Sequence, residues 1–169
     1  LTTEFSTRVL AESNDLAVHV ADRAGLDGLA PNEVESARGA AEAAGLDGYL
    51  LTLSLPTIQP TIASLTDRDV RRRLHEAATT RGTRGGEHDT RDMVARITAL
   101  RAQRAALLGF TDHAAYVADD QTAGSTKAVL EMLDEMVEPA MRNLGSELAT
   151  IEELARADGV EGPVQPWDW

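Results

Sequence analysis

The sequence predicts an all-α fold, a multi-helix bundle with one long C-terminal helix and at most one short extended segment. Three observations carry that expectation. Aromatic residues make up only 4% of the chain, so the core falls to Leu, Val, Ile, Met and many alanines, a mixture that suits closely packed helices. Apolar residues recur at three- and four-residue intervals through most of the 169 positions. Only one run, 49–55, reads as a strand.

The first helix is predicted over about 2–21, with Thr2 or Thr3 as cap and Phe5, Val9, Leu16 and Val20 on one stripe. Gly25-Leu26-Asp27-Gly28 breaks it. Pro31 suits a first-turn position, where its missing N–H costs nothing, and opens a second helix to Gly45 through Val34, Ala37, Ala41 and Ala44.

Tyr49-Leu50-Leu51-Thr52-Leu53-Ser54-Leu55 is short, apolar, partly alternating and bounded by Gly48 and Pro56. A lone strand needs a partner for its backbone groups, and no second strand is evident, so the partner is expected in chain beyond these ends. A short helix follows at 60–65. Thr66-Asp67-Arg68-Asp69 caps another that runs to about Thr80 through Val70, Leu74 and Ala77. Gly82, Gly85 and Gly86 mark a loop.

Asp89 or Thr90 caps the next helix, whose Met93, Ile97, Leu100 and Leu107 share a face until Gly109 stops it. A left-handed Gly109 would satisfy the last carbonyls and fold Phe110 back onto the final turn. A brief helix spans 114–118. The last helix, about Ser125 to Asp158, keeps its stripe through Val129, Leu133, Met136, Val137, Ala140, Leu144, Leu148 and Ile151. Pro139 removes one of its backbone bonds and is expected to bend it near Glu135. No repeat, low-complexity tract or linker interrupts 1–169, which reads as one helical segment.

The formal net charge of −12 argues against nucleic acid and anionic membrane as partners, both of which need a basic surface. Charge is uneven: residues 57–109 carry six acids and ten bases between two strongly acidic segments. The basic helices are therefore expected to sit against acidic ones, with phosphate binding as the alternative. Absence of cysteine excludes disulfides, thiolate metal sites and cysteine catalysis, and fits a reducing, cytoplasmic location. No stretch approaches the roughly 18 apolar residues of a membrane span. Neither the Leu1-Thr2-Thr3-Glu4-Phe5 start nor the Pro166-Trp167-Asp168-Trp169 end resembles a natural terminus, and both read as trimmed.

The nearest approach to a catalytic motif is His75-Glu76-Ala77-Ala78-Thr79. In H-E-x-x-H, two histidines four apart share a helix face and bind zinc, and the intervening Glu activates water. Here Thr79, a poor zinc ligand, occupies the second position, so the pair reads as a polar patch on an arginine-rich helix. His19, His88 and His113 lie on separate segments without ligand spacing. Asp119-Asp120 and Glu152-Glu153 read as solvated helix faces. No serine lies in a nucleophile elbow, and Gly82-Thr83-Arg84-Gly85-Gly86 lacks the lysine and spacing of a phosphate loop. The run Arg71-Arg72-Arg73 reads as a source of internal salt bridges. No catalytic, cofactor-binding or metal residue is assigned to the chain.

Arg101-Ala102-Gln103-Arg104-Ala105-Ala106-Leu107-Leu108-Gly109-Phe110, with His113-Ala114-Ala115-Tyr116, closely resembles a stretch of the thimet oligopeptidase and peptidyl-dipeptidase (dipeptidyl carboxypeptidase) family. The start at Leu1–Phe5, the segment Leu53–Pro60, Ala63–Arg68 and Gln165–Trp169 are similar to that family in the same order. Gln59-Pro60 and Pro166–Trp169 look closer to the bacterial peptidyl-dipeptidase branch. The resemblance implies a helix-rich zinc metallopeptidase that cleaves short peptides in a deep channel. It also implies that the H-E-x-x-H helix, the third glutamate ligand and the substrate loop lie later than the segment resembled. His75-Glu76 is not that motif. The expected role is a non-catalytic scaffold whose partner is the remainder of the peptidase, with zinc in the parent and none here. The alternative is an independent helical interaction module. In the isolated segment, surfaces meant for the rest of the peptidase, including Trp167, Trp169 and the 49–55 edge, are expected to be exposed and to favour self-association.

Overall fold

The computed structural model describes residues 1–54 and 58–168. The fold is all-α with many helices: α1 (Thr2–Asp15), α2 (Pro31–Ala43), α3 (Ile58–Ser64), α4 (Arg68–Thr79), α5 (Arg91–Leu107), α6 (His113–Ala118) and α7 (Thr126–Ala157). Two three-residue strands, β1 (Val18–Val20) and β2 (Tyr49–Leu51), form a small sheet. Short 3-10 turns lie at Arg23–Leu26 and Pro166–Asp168. The chain divides into two compact units, one of 1–91 with 165–168, the other of 92–164.

In the first unit, β1 corrects the sequence expectation twice. The first helix ends at Asp15 rather than near 21, and the strand that lacked a partner has one within the chain. Val18 pairs with Leu51, His19 with Leu50 and Val20 with Tyr49, antiparallel. Asn14-Asp15 compete with the helical backbone for hydrogen bonds, and Val18-His19-Val20 then alternates buried, exposed, buried. The stripe through Leu16 and Val20 matched a helical period by coincidence over so short a run. Leu55 of the expected strand lies outside the described residues.

Side-chain caps fall where the sequence places them for α4. The Asp67 carboxylate accepts from the amides of Asp69 and Val70 at 2.9 and 3.0 Å. At α1 the expected threonine cap is absent: the N-cap is Leu1, with no side-chain bond. At α2 only half of a capping box forms, because Glu33 accepts from the Ala30 amide at 2.8 Å while Ala30 has no hydroxyl to reciprocate.

The core of this unit joins both strands to α2, α3 and α4 through Val18, Val20, Leu26, Leu51, Val70 and Leu74, among others. Leu26 and Leu74 are wholly enclosed. Gly28 makes a close crossing possible. Its φ of 96° is left-handed, and a Cβ there would lie 1.9 Å from the Ser64 carbonyl oxygen. The crossing is fixed by the amide of Thr66, which donates to the Asp27 carbonyl at 2.9 Å.

The second unit holds α6, α7 and all of α5 beyond Arg91. Gly109 (φ 84°) ends α5 as expected: its amide donates to Ala106 O and the Phe110 amide to Ala105 O, the paired bonds of a Schellman motif. Phe110 then meets Tyr116 edge-on at 5.4 Å. Asp112 caps α6 and Ser125 caps α7. Helix α7 runs through Pro139 without interruption, and none of its residues is buried. Of the residues on the shared face of α5, Leu100 and Leu107 are exposed, whereas Met93 is buried.

Candidate functional site

Three residues that come nearest to a zinc motif sit on α4, each engaged elsewhere. The Glu76 carboxylate accepts from Arg72 one turn earlier at 3.0 and 3.1 Å. The Thr79 hydroxyl donates to the His75 carbonyl at 2.8 Å, a helix-internal bond. The His75 ring meets the Trp167 ring edge-on at 6.0 Å. Trp167 is therefore docked and half-buried, not splayed into solvent as expected; Trp169 lies outside the described residues.

The other histidines each have their own surroundings. His19 Nε2 lies 2.6 Å from the Asp47 carbonyl. His88 Nε2 is 3.2 Å from Asp15 and 3.6 Å from Glu87. His113 stacks on Tyr116, and its Nδ1 is buried with no hydrogen-bond partner among the described residues. Among the described residues no three His, Cys, Asp or Glu side chains form a group able to hold a metal ion. The residues present do not fit the zinc that the resemblance implies for the whole peptidase.

The glycine loop is likewise occupied by the chain's own carboxylates. The Gly82 amide donates to the buried Glu12, and the Gly85 amide donates to Asp89 at 2.9 Å. Asp89 also accepts from the guanidinium and amide of Arg91, and these bonds hold its carboxyl down to about 2. A phosphate would find these loop amides already matched to anions.

The strongest charge constellation was only half visible in the sequence. Asp168 accepts two bonds from Arg68, at 2.9 and 2.8 Å, one from Arg71 at 3.2 Å and one from the Gln165 amide at 3.0 Å. The Arg68 guanidinium first, then the Gln165 amide and Arg71, hold the Asp168 carboxyl well below the usual carboxylate range, against the burial that pushes it up. Arg71 also donates to the carbonyls of Trp167, Leu65 and Thr66. The arginine run is thus internal, as its spacing suggests: Arg72 pairs with Asp69 and Glu76, and Arg73 donates to the His19 carbonyl. Which acid would meet Arg68 and Arg71 had no signal beyond the order of segments.

In the second unit, the residues that carry the family resemblance form one local cluster. Arg104 donates to the Tyr116 hydroxyl at 2.7 Å with its guanidinium carbon 4.8 Å from the ring centre. The contact ties α6 to the last turns of α5.

One groove, of about 600 Å³, lies between α1 and the 52–54 segment. Its described lining, including Phe5, Val9, Ser13, Leu53 and Arg81, holds no His, Asp, Glu or Cys, so it offers no general acid or base. No helix among the described residues is long and apolar enough to cross a membrane.

The sequence model of peptidase family M3 matches residues 61–169. Over its whole length the chain is 36% identical to the dipeptidyl carboxypeptidase of Escherichia coli K12 and 38% identical to that of Salmonella typhimurium LT2. Across 98% of its length it is 31% identical to oligopeptidase A of Escherichia coli K12. In each case it spans only a quarter (25%) of the relative's length. Matches to two kinds of relative, with a family model across nearly two-thirds of the chain, agree with the motifs at 101–116 and 165–169: the chain belongs to peptidase family M3.

Proposed function

We propose that this chain is a non-catalytic helical scaffold segment of a zinc-dependent peptidyl-dipeptidase or oligopeptidase, cytoplasmic in its whole form, which hydrolyses short peptides. The observation that carries the reading is the end-to-end similarity to one quarter of the dipeptidyl carboxypeptidases. The engaged state of His75, Glu76 and Thr79 supports it. Residues 1–169 act as one segment, and the zinc ligands and substrate loop come from the rest of the peptidase.

The test is to purify the 169-residue chain, measure bound zinc, and follow dipeptide release from short peptides with and without chelator. The expected result is neither bound zinc nor release. Stoichiometric zinc with chelator-sensitive release overturns the reading.

One observation favours a second reading, an independent helical interaction module: the open apolar stripe of α7. The encoding gene separates the two. A reading frame that continues to an H-E-x-x-H supports the scaffold, and one that stops after Trp169 supports the module.

A further inference from the structure

Helix α7 is built to be covered. Eight of its large apolar residues are exposed, and four of them, Leu133, Met136, Val137 and Leu144, fall at helical spacing on one face, with Met132 and Met141 at its two margins. From Val129 to Ile151 that stripe runs about 33 Å along the helix. Monomeric surfaces seldom leave so long a continuous apolar stripe open to water.

The flanks of the stripe say what kind of surface fits it. Helix α7 carries seven acids and three bases, a net charge of −4. Two of the three cations are already paired within the helix, Lys127 with Glu131 and Arg142 with Glu138. A second copy laid face to face would set −4 against −4 within a Debye length of about 8–10 Å. A surface with an apolar stripe and basic flanks meets no such repulsion.

We infer that the apolar face of α7 is the seam against which the remaining three-quarters of a family-length peptidase packs, through an amphipathic, basic-flanked helical surface. This rests on the scaffold reading and adds to it the surface and the charge of what covers it. The lengths agree with it: the relatives contain three times as much chain again as the part aligned here.

The methionines supply a direct test. Met132, Met136 and Met141 on α7 are 53%, 57% and 60% exposed, while Met93 on α5 is 7% exposed and serves as internal control. Sulfoxide formation by hydrogen peroxide is read at each by peptide mass spectrometry, since susceptibility follows exposure. The first sample is the 169-residue chain. The second is the Escherichia coli dipeptidyl carboxypeptidase with its aligned quarter replaced by this chain. The expected result is an active chimera in which Met136, on the stripe, oxidises at least about tenfold more slowly than in the chain alone, with Met93 unchanged.

Equal oxidation in an active chimera overturns the seam and leaves the scaffold reading standing. A chimera that neither assembles nor releases dipeptides, while the parent enzyme does, overturns the scaffold reading and the seam with it. Protection that grows with concentration in the isolated chain assigns the face to a second copy and also overturns the proposal. Leu133→Glu with Leu144→Glu is expected to abolish protection in the chimera while leaving the melting of the isolated chain unchanged, because both side chains are already open there.

Discussion

Arg71 and Asp168 stand 97 residues apart in sequence, and their side chains meet at 3.2 Å with the Asp168 carboxylate only 3% exposed. Arg68 grips the same carboxylate through two further bonds, so α4 holds the 165–168 segment by its one enclosed acid. Removing one partner of such a pair leaves the other charge without its match, which costs more than the pair contributes when whole.

Asp168→Asn keeps the shape and removes the charge. It is expected to lower the unfolding free energy by about 2–3 kcal/mol, the range for charge-assisted hydrogen bonds in enclosed sites. Urea denaturation followed by tryptophan fluorescence measures this directly, because Trp167 lies in the same clasp. A loss below about 0.5 kcal/mol would show that the clasp is ornamental.

The same carboxylate, together with Asp89, sets the acid limit. Both have folded-state pKa values below the unfolded value of about 3.9. Their stabilisation is therefore complete above about pH 4 and is lost as pH falls through the folded values. Unfolding free energy should decline from about pH 4 downward, with the Asp89 contribution fading near pH 2. Asp89→Asn should flatten that limb. Identical slopes for the wild type and the variant would refute the assignment.

Gly28→Ala tests the crossing of the 27–28 turn against the end of α3. The left-handed φ and the 1.9 Å approach to Ser64 O both oppose a side chain, so a loss well above about 1 kcal/mol is expected. Gly39→Ala in α2 is the control. It is helical with open space around it and should gain about 0.5–1 kcal/mol. The two thermal melts should move in opposite directions.

The helices with strong local signals were legible in the sequence. Asp67, Asp112 and Ser125 announce their helix starts by cap chemistry that acts within three residues, and Gly109 announces a stop in the same way. What was not legible depended on distance in sequence. Val18-His19-Val20 is too short to separate a period of 2 from one of 3.6, and only its pairing with Tyr49–Leu51 decides the matter. Glu12 looks like any surface acid until the loop at Gly82 closes over it. The half-match at His75 shows its missing second imidazole in the sequence itself. Its actual partner, Trp167, could not be read from any local pattern.

The clasp also orders the birth of the molecule. A ribosome releases residues 1–91 first, then 92–164, and only afterwards the aspartate that α4 needs. At about 5–20 residues per second, the arginines of α4 wait on the order of 5–20 seconds for their counter-ion. During that interval two guanidinium groups stand without their acid, while the whole of α7 is made. The first part of the nascent chain therefore finishes after the second part has been synthesised.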